Sequence, residues 1–222
     1  MKTVIFDLDG TLADTSADLL AAANACFSRL GHGPLLDSEA DRLTAFHGGR
    51  AMLRLGFSRL DGVFDEADID REYPHLLDHY GQNIDRHTRL YPGVEAAVDL
   101  LQSRGVRIGI CTNKPEGLAE TLLSRLGVRD LFASLIGADT LPVRKPDPAP
   151  YVEAVRQAGG DPAHSFLVGD TITDVKTARA AGVPIVLVGF GPAGGEVARL
   201  GPDALLDHYA DLPELAERLL AD

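Results

Sequence analysis

The stretch Val4-Ile5-Phe6-Asp7-Leu8-Asp9-Gly10-Thr11-Leu12 decides how the rest of the chain is interpreted. Its first three residues predict a short buried strand, because β-branched and aromatic residues fit a pleat that is packed on both faces. Alternate residues of a strand point the same way, so Asp7 and Asp9 start on one side, and Gly10 permits a sharp turn. Two carboxylates this close are stable only with a cation between them or a proton on one of them. The stretch therefore predicts a metal site, an acid–base pair or both, with a plain Asp-Gly turn as the alternative.

The composition is that of an ordinary soluble globular protein. The chain has 222 residues, of which 45% are hydrophobic and 24% are charged, and its formal net charge is −12. Such a negative charge disfavours nucleic acids and acidic membrane surfaces as partners. The apolar runs are too short to span a bilayer or to form a secretory leader. Cys26 and Cys111 lie far apart and show no metal or redox spacing, so we expect two reduced, buried thiols in the cytoplasm.

The segment from residue 15 to residue 87 predicts an all-helical block. Thr15 with Asp18 three positions later is typical of a helix N-terminus. Helical periodicity continues over Glu39–Phe46, Arg50–Leu60 and Glu66–Asp85, with Gly-Pro and Asp-Gly breaks between them and no convincing strand.

From Leu90-Tyr91-Pro92-Gly93 onward, predicted helices and strands alternate. The predicted strands are 106–112, 135–137, 166–170, 185–188 and 204–206, and the predicted helices are 94–104, 116–126, 149–158, 174–181 and 212–220. This alternation predicts an α/β fold, a doubly wound parallel sheet. The first strand belongs to that sheet by composition, so the helical block is an insertion. We therefore expect a catalytic core of residues 1–14 and 88–222 and a helical cap of residues 15–87.

Polar residues follow four of the predicted strands, at the edge where ligands bind in such sheets. They are Asp7 and Asp9; Thr112-Asn113-Lys114; Arg144-Lys145-Pro146-Asp147-Pro148; and Gly169-Asp170 with Asp174. Each has an ordinary alternative: Thr112 or Asp170 as a helix cap, and Lys145 as a solvated charge. Their coincidence at one edge indicates a shared site.

In wording and order these segments resemble the motifs of the haloacid dehalogenase superfamily of phosphotransferases. Asp7-Leu8-Asp9 matches motif I, Thr112 motif II, Lys145 motif III, and Gly169-Asp170 with Asp174 motif IV. The resemblance covers essentially the whole chain and is strongest to the phosphoglycolate phosphatase-like branch. It implies a Rossmann-like core with the helical block as its cap.

The resemblance also implies a role for each residue. Asp7 would be the nucleophile that forms an aspartyl-phosphate, and Asp9 the acid and then the base. Mg²⁺ would be held by Asp7, the backbone carbonyl of Asp9 and Asp170, with Asp174 as a further ligand or an orienting group. Thr112, Asn113 and Lys145 would contact the phosphoryl group.

In the cap, Phe46-His47-Gly48-Gly49-Arg50 stands at the apparent start of a helix. His47 and Arg50 are candidate ligands for a substrate anion such as a carboxylate. The alternative is a surface turn with a solvated arginine.

These expectations together describe a Mg²⁺-dependent phosphatase of a small phosphorylated metabolite, 2-phosphoglycolate above others, acting as a monomer or homodimer. A phosphosugar phosphatase, a sugar-phosphate mutase and a non-catalytic binding module of the same fold are the alternatives. A haloacid dehalogenase is disfavoured, because its chemistry needs neither the second aspartate nor a metal.

Overall fold

The computed structural model describes residues 1–62 and 64–221. The chain divides into two compact units, one formed by Met1–Ala13 with Leu90–Asp222 and the other by Asp14–Arg89. We call them the core and the cap.

The described residues of the core form a six-stranded parallel sheet in the order β5-β4-β1-β6-β7-β8. Its strands are β1 (Thr3–Phe6), β4 (Arg107–Cys111), β5 (Ser134–Ile136), β6 (Ser165–Gly169), β7 (Ile185–Val188) and β8 (Ala204–Leu206). Strand β1 is central, with β4 and β6 on its two sides, and Val4 to Phe6 are fully buried. The predicted parallel sheet is therefore confirmed, and β7 and β8 have the predicted bounds.

Helices connect these strands, as the alternating pattern predicts. They are α5 (Val94–Ser103), α6 (Glu116–Arg125), α7 (Ala149–Gln157), α8 (Ile172–Ala181) and α9 (Leu212–Leu219). Tyr151 of α7 and Ala178 of α8 pack with Ile5 and Leu167 of the sheet in one fully buried cluster. This apolar layer fixes the central strands, and with them the residues that follow their carboxyl ends.

The cap consists of α1 (Ser16–Arg29), α2 (Arg42–Ala45), α3 (Gly49–Phe57) and α4 (Glu66–Gln82). Helix α1 packs on α4 and α3, and Arg29 of α1 donates two hydrogen bonds of 2.5 and 2.6 Å to the buried carboxylate of Glu72 in α4. No strand occurs between residues 15 and 87 in the part of the chain that the structure describes, in agreement with the sequence.

One local prediction in the cap was wrong. The predicted helix over Glu39–Phe46 begins only at Arg42, because the side chain of Asp37 accepts hydrogen bonds from the N–H groups of Glu39 and Ala40 and forms a turn there. Helix α1, in contrast, begins directly after Thr15, as the sequence predicted.

Asp14 and Asp18 form hydrogen bonds with the two segments that connect the cap to the core. The Asp14 carboxylate accepts from the N–H (3.1 Å) and the hydroxyl (2.6 Å) of Ser16. Asp18, which is 3% exposed, accepts from the N–H groups of His87 and Thr88 and from the Thr88 hydroxyl. These bonds hold the returning chain against the first turn of α1.

The connecting segments pair with each other. Strands β2 (Ala13–Asp14) and β3 (Arg89–Leu90) form a two-stranded sheet. On the core side of this pair, the Tyr91 N–H donates to the carbonyl of Leu12 at 3.0 Å.

No helix among the described residues is long and apolar enough to cross a membrane.

Candidate active site

Asp7 stands at the carboxyl end of the central strand and is 9% exposed. Its N–H donates to the carbonyl of Val168 at 2.8 Å, which ties it to β6. Its Oδ1 accepts from the N–H of Leu8 at 2.7 Å and lies 3.1 Å from Nζ of Lys145. These contacts orient the carboxylate, and no hydrogen bond to Oδ2 occurs within the described part of the chain. Oδ2 is therefore the carboxylate oxygen that is left available to a ligand.

Two further carboxylates, those of Asp170 and Asp174, converge on Asp7. Ligand atoms of the three residues lie within 4.8 Å of one another. Asp170 Oδ1 accepts from the hydroxyl of Thr11 at 3.2 Å. The sequence predicted that these residues share one edge of the sheet, and the structure shows that β1 and β6 are neighbours there.

Both oxygens of Asp174 are occupied by protein groups. Oδ1 accepts from Lys145 Nζ at 2.6 Å, and Oδ2 accepts from the N–H of Asp170 and from the N–H and hydroxyl of Thr171. A Cβ atom at Gly169 would lie 2.4 to 2.7 Å from the Asp174 side chain, so only glycine leaves room for it. Gly169 thus contributes to the site by leaving space for Asp174, and Asp170 contributes its carboxylate.

The electrostatics of this cluster favour a cation. Burial raises the pKa of Asp7 to about 6; Lys145 opposes the rise, and Asp174 and Asp9 add to it. Burial, with the charges of Asp174 and Asp7, raises the pKa of Asp170 well above its ordinary value. Burial lowers the pKa of the Lys145 amine, but Asp174 and Asp7 more than offset this and raise it. One ammonium group thus stands among three carboxylates, and a bound cation would offset their excess negative charge.

The segment after β4 holds the second lysine of the site, Lys114, to which the sequence analysis assigned no role. Nζ of Lys114 donates to both carboxylate oxygens of Asp9, at 2.7 and 2.9 Å. Its own N–H donates to Thr112 Oγ1 at 3.2 Å, which leaves the Thr112 O–H to donate elsewhere. The spacing Thr112-Asn113-Lys114 was visible in the sequence, but the distance to Asp9 depends on how the chain leaves β4.

Asn113 is part of this segment, and its Nδ2 donates to the backbone carbonyl of Lys145 at 3.0 Å. This bond ties the loop after β4 to the loop that carries Lys145. The amide group has a second N–H donor, and its contact with the phosphoryl group stays a prediction.

Cys111, at the end of β4, is fully buried. Burial raises the pKa of its thiol to about 12, so the thiol stays protonated at neutral pH. A protonated thiol is a poor nucleophile and a poor metal ligand. This cysteine is therefore a buried core residue and not a candidate nucleophile.

In the cap, the structure places Arg50 in the first turn of α3 and His47 on the exposed segment before it. Arg50 forms an ion pair with Asp70 of α4, and its guanidinium lies 4.8 Å from the ring centroid of Tyr73. The side chain of Arg50 remains 42% exposed. It is therefore ordered by the cap itself but accessible to an anion.

A doubly wound parallel sheet, with lysines and carboxylates gathered beyond the ends of β1, β4, β5 and β6, defines a class of α/β proteins that bind their ligands at this edge of the sheet. The family model of the haloacid dehalogenase-like hydrolases matches residues 4–188. The chain belongs to this family, and the sequence-based prediction of a hydrolase is confirmed.

Proteins named phosphoglycolate phosphatase are similar to this chain over nearly its full length. The one from Mesorhizobium japonicum is 40% identical over 218 residues, which cover 98% of this chain and 96% of that protein. The one from Rhodospirillum rubrum is 40% identical over 95% of this chain and 89% of its own length. Among solved structures, a predicted phosphoglycolate phosphatase from Haemophilus somnus superposes with a TM-score of 0.85 at 25% identity, over 97% of each chain.

Proposed function

We propose that this protein is a Mg²⁺-dependent phosphatase that hydrolyses 2-phosphoglycolate through an aspartyl-phosphate on Asp7. The observation that carries the proposal is the group of three buried carboxylates, Asp7, Asp170 and Asp174, with one lysine among them. The names of the similar proteins support the substrate. The free, buried thiols of Cys26 and Cys111 suit the cytoplasm that we expect as its location.

The donor set fits Mg²⁺. All three side chains offer carboxylate oxygen, the ligand that this hard cation prefers, and the raised pKa values of Asp7 and Asp170 indicate that a cation would relieve their repulsion. Asp7 and Asp170 would hold the ion together with the backbone carbonyl of Asp9. When bound, the ion supplies positive charge to the phosphoryl oxygens. Asp174 would orient the site, because its oxygens already accept hydrogen bonds from Lys145 and from the start of α8.

In the first half-reaction, Oδ2 of Asp7 attacks phosphorus while Leu8 and Lys145 hold Oδ1. An ammonium group has three N–H donors; Lys145 directs one to Asp174 and forms an ion pair with Asp7, so an N–H of this group can bind a phosphoryl oxygen. The Thr112 hydroxyl can donate to another. Asp9 protonates the oxygen that leaves with glycolate.

In the second half-reaction, water attacks the aspartyl-phosphate. Asp9, deprotonated in the first step, takes a proton from that water, and Asp7 departs as a carboxylate. Inorganic phosphate is the product. Asp9 therefore donates a proton in the first half-reaction and accepts one in the second.

Selection for a carboxylated substrate would come from the cap. Arg50, with His47 beside it, is the residue that we propose binds the glycolate carboxylate. Its pairing with Asp70 and stacking on Tyr73 support this, because a preordered guanidinium loses less conformational entropy on binding.

The test is release of inorganic phosphate from a panel of phosphomonoesters at low concentration, with Mg²⁺ and with excess chelator. We expect 2-phosphoglycolate to give the highest kcat/KM, chelator to abolish turnover, and Asp7→Asn to be inactive on every substrate. Asp203→Asn, which removes the same charge at a surface pair with Arg179, is the matched control and should remain active.

Full activity after exhaustive chelation would reject the metal. Preference for a sugar phosphate would reject phosphoglycolate as the substrate and leave the mechanism standing.

A further inference from the structure

The Lys114 side chain is a buried cation that contacts Asp9. The side chain is 3% exposed, whereas that of Asp9 is 20% exposed. A lysine so deeply buried is stable only when it is paired and hydrogen-bonded, and here its ammonium donates to both oxygens of one carboxylate.

The two lysines of the site serve different carboxylates. Lys145 contacts Asp7 and Asp174, and Lys114 contacts Asp9. The base of the Lys114 side chain is also fixed, because its N–H donates to Thr112 Oγ1 and its carbonyl accepts from the N–H of Ala138. The ammonium is therefore held in place from the loop after β4 and the loop after β5.

Both oxygens of Asp9 accept hydrogen bonds from one ammonium group, so the orientation of this carboxylate is fixed by Lys114. A carboxylate whose two oxygens are fixed can meet the attacking water in one orientation, and a misplacement of about 1 Å in such a group costs about 10²-fold in rate.

We propose that Lys114 is the positioning residue of Asp9 and that it holds this carboxylate as the base for hydrolysis of the aspartyl-phosphate, an inference that rests on the proposed function. In that step the oxygen of water bonds to phosphorus, one water proton passes to Asp9, the bond between phosphorus and the Asp7 oxygen breaks, and Asp7 regains its carboxylate. Lys114 neither gains nor loses a proton.

The experiment is rapid mixing of Lys114→Met with nitrophenyl phosphate under saturating Mg²⁺. The first half-reaction needs little help from Asp9 with this leaving group, so we expect a burst of up to one nitrophenolate per active site. The steady rate that follows should be about 10²-fold below that of the wild type. Lys176→Met is the matched control, because it removes an exposed lysine of α8 and should give the wild-type trace.

A double-mutant cycle separates positioning of Asp9 from a general charge effect. Because Lys114 acts through Asp9, Lys114→Met in an Asp9→Asn background should cause no further loss, and Lys114→Arg, which keeps the charge, should restore the steady rate in part. Melting temperatures of all variants establish that they are folded.

Turnover of Lys114→Met equal to that of Lys176→Met would overturn the inference, as would a further 10²-fold loss on combining Lys114→Met with Asp9→Asn. Either result leaves the proposed function intact if the wild type is an active phosphatase. Absence of phosphate release by the wild type would instead reject both.

Discussion

Asp7 should lower the stability of the metal-free protein while being essential for turnover. Its pKa rises from 3.8 to about 6 on folding, chiefly through burial, so its ionised form is disfavoured in the native state. This difference in pKa lowers the free energy of unfolding by about 3 kcal/mol at any pH well above the pKa of Asp7 in the native state. Asp7→Asn removes the charge, keeps the shape, and retains an oxygen that can accept from Leu8.

The sign follows from proton binding. Below about pH 4 Asp7 is protonated in both states and the native state carries no penalty. Between about pH 4 and 6 the unfolded chain loses its proton first, so the wild type becomes less stable relative to Asp7→Asn as pH rises. In chelator, the variant should therefore equal the wild type near pH 4 and exceed it by up to about 3 kcal/mol at pH 8.

Urea unfolding between pH 4 and 8, followed by tyrosine fluorescence, measures this difference. Asp203→Asn is a control of opposite sign, because hydrogen bonds from Ile185 and Arg179 lower the pKa of Asp203 despite its partial burial, so its loss should destabilise at neutral pH. Mg²⁺ at 100 times its Kd should nearly cancel the difference for Asp7, since it adds about 2.7 kcal/mol to the wild type alone. An Asp7→Asn variant less stable than the wild type in chelator at pH 8 would refute the reasoning.

Three further predictions concern individual residues. Asp9→Asn should lose about 10²–10⁴-fold in phosphoryl transfer from alkyl phosphates and far less from nitrophenyl phosphate, and it should then stall after one burst; linear release at the wild-type rate would remove Asp9 from the mechanism. Arg50→Ala should raise KM for carboxylated phosphates more than for uncharged ones, whereas Arg54→Ala, one turn further along α3 and paired with Glu66, should not; equal KM changes would exclude the carboxylate role. Gly169→Ala should destabilise the core by about 1–3 kcal/mol in urea unfolding, because the new methyl group meets the Asp174 carboxylate; unchanged stability would show that Asp174 yields easily.

The parts of the fold that the sequence predicted are those set by periodicity and by chain order. Strand β1 and the alternating elements after residue 90 show clear patterns, and a parallel sheet places the carboxyl ends of all its strands at one edge; the strand order that makes β1 and β6 neighbours comes from the structure. The grouping of Asp7 with Asp170 and Asp174 therefore needed no knowledge of side-chain conformation.

The contacts that the sequence did not predict depend on loop paths. Lys114 donates to Asp9, and Asn113 donates to the carbonyl of Lys145, because of the path that the chain takes after β4. Likewise Asp37 forms a turn where periodicity indicates a helix, since a short polar side chain competes for backbone N–H groups. Periodicity carries no information about such local competition.

The hydrogen bond between Tyr91 and Leu12 means that the core holds together the two points at which its chain is interrupted. Closing a loop between points already joined carries an entropic cost that grows only slowly with the length of the loop. The core is thus tolerant of what is inserted there: a longer, shorter or rearranged cap would leave the register of β1 and the carboxylates beyond it unchanged. Substrate preference can then diverge by exchange of one segment, without a compensating change in the residues that transfer the phosphoryl group.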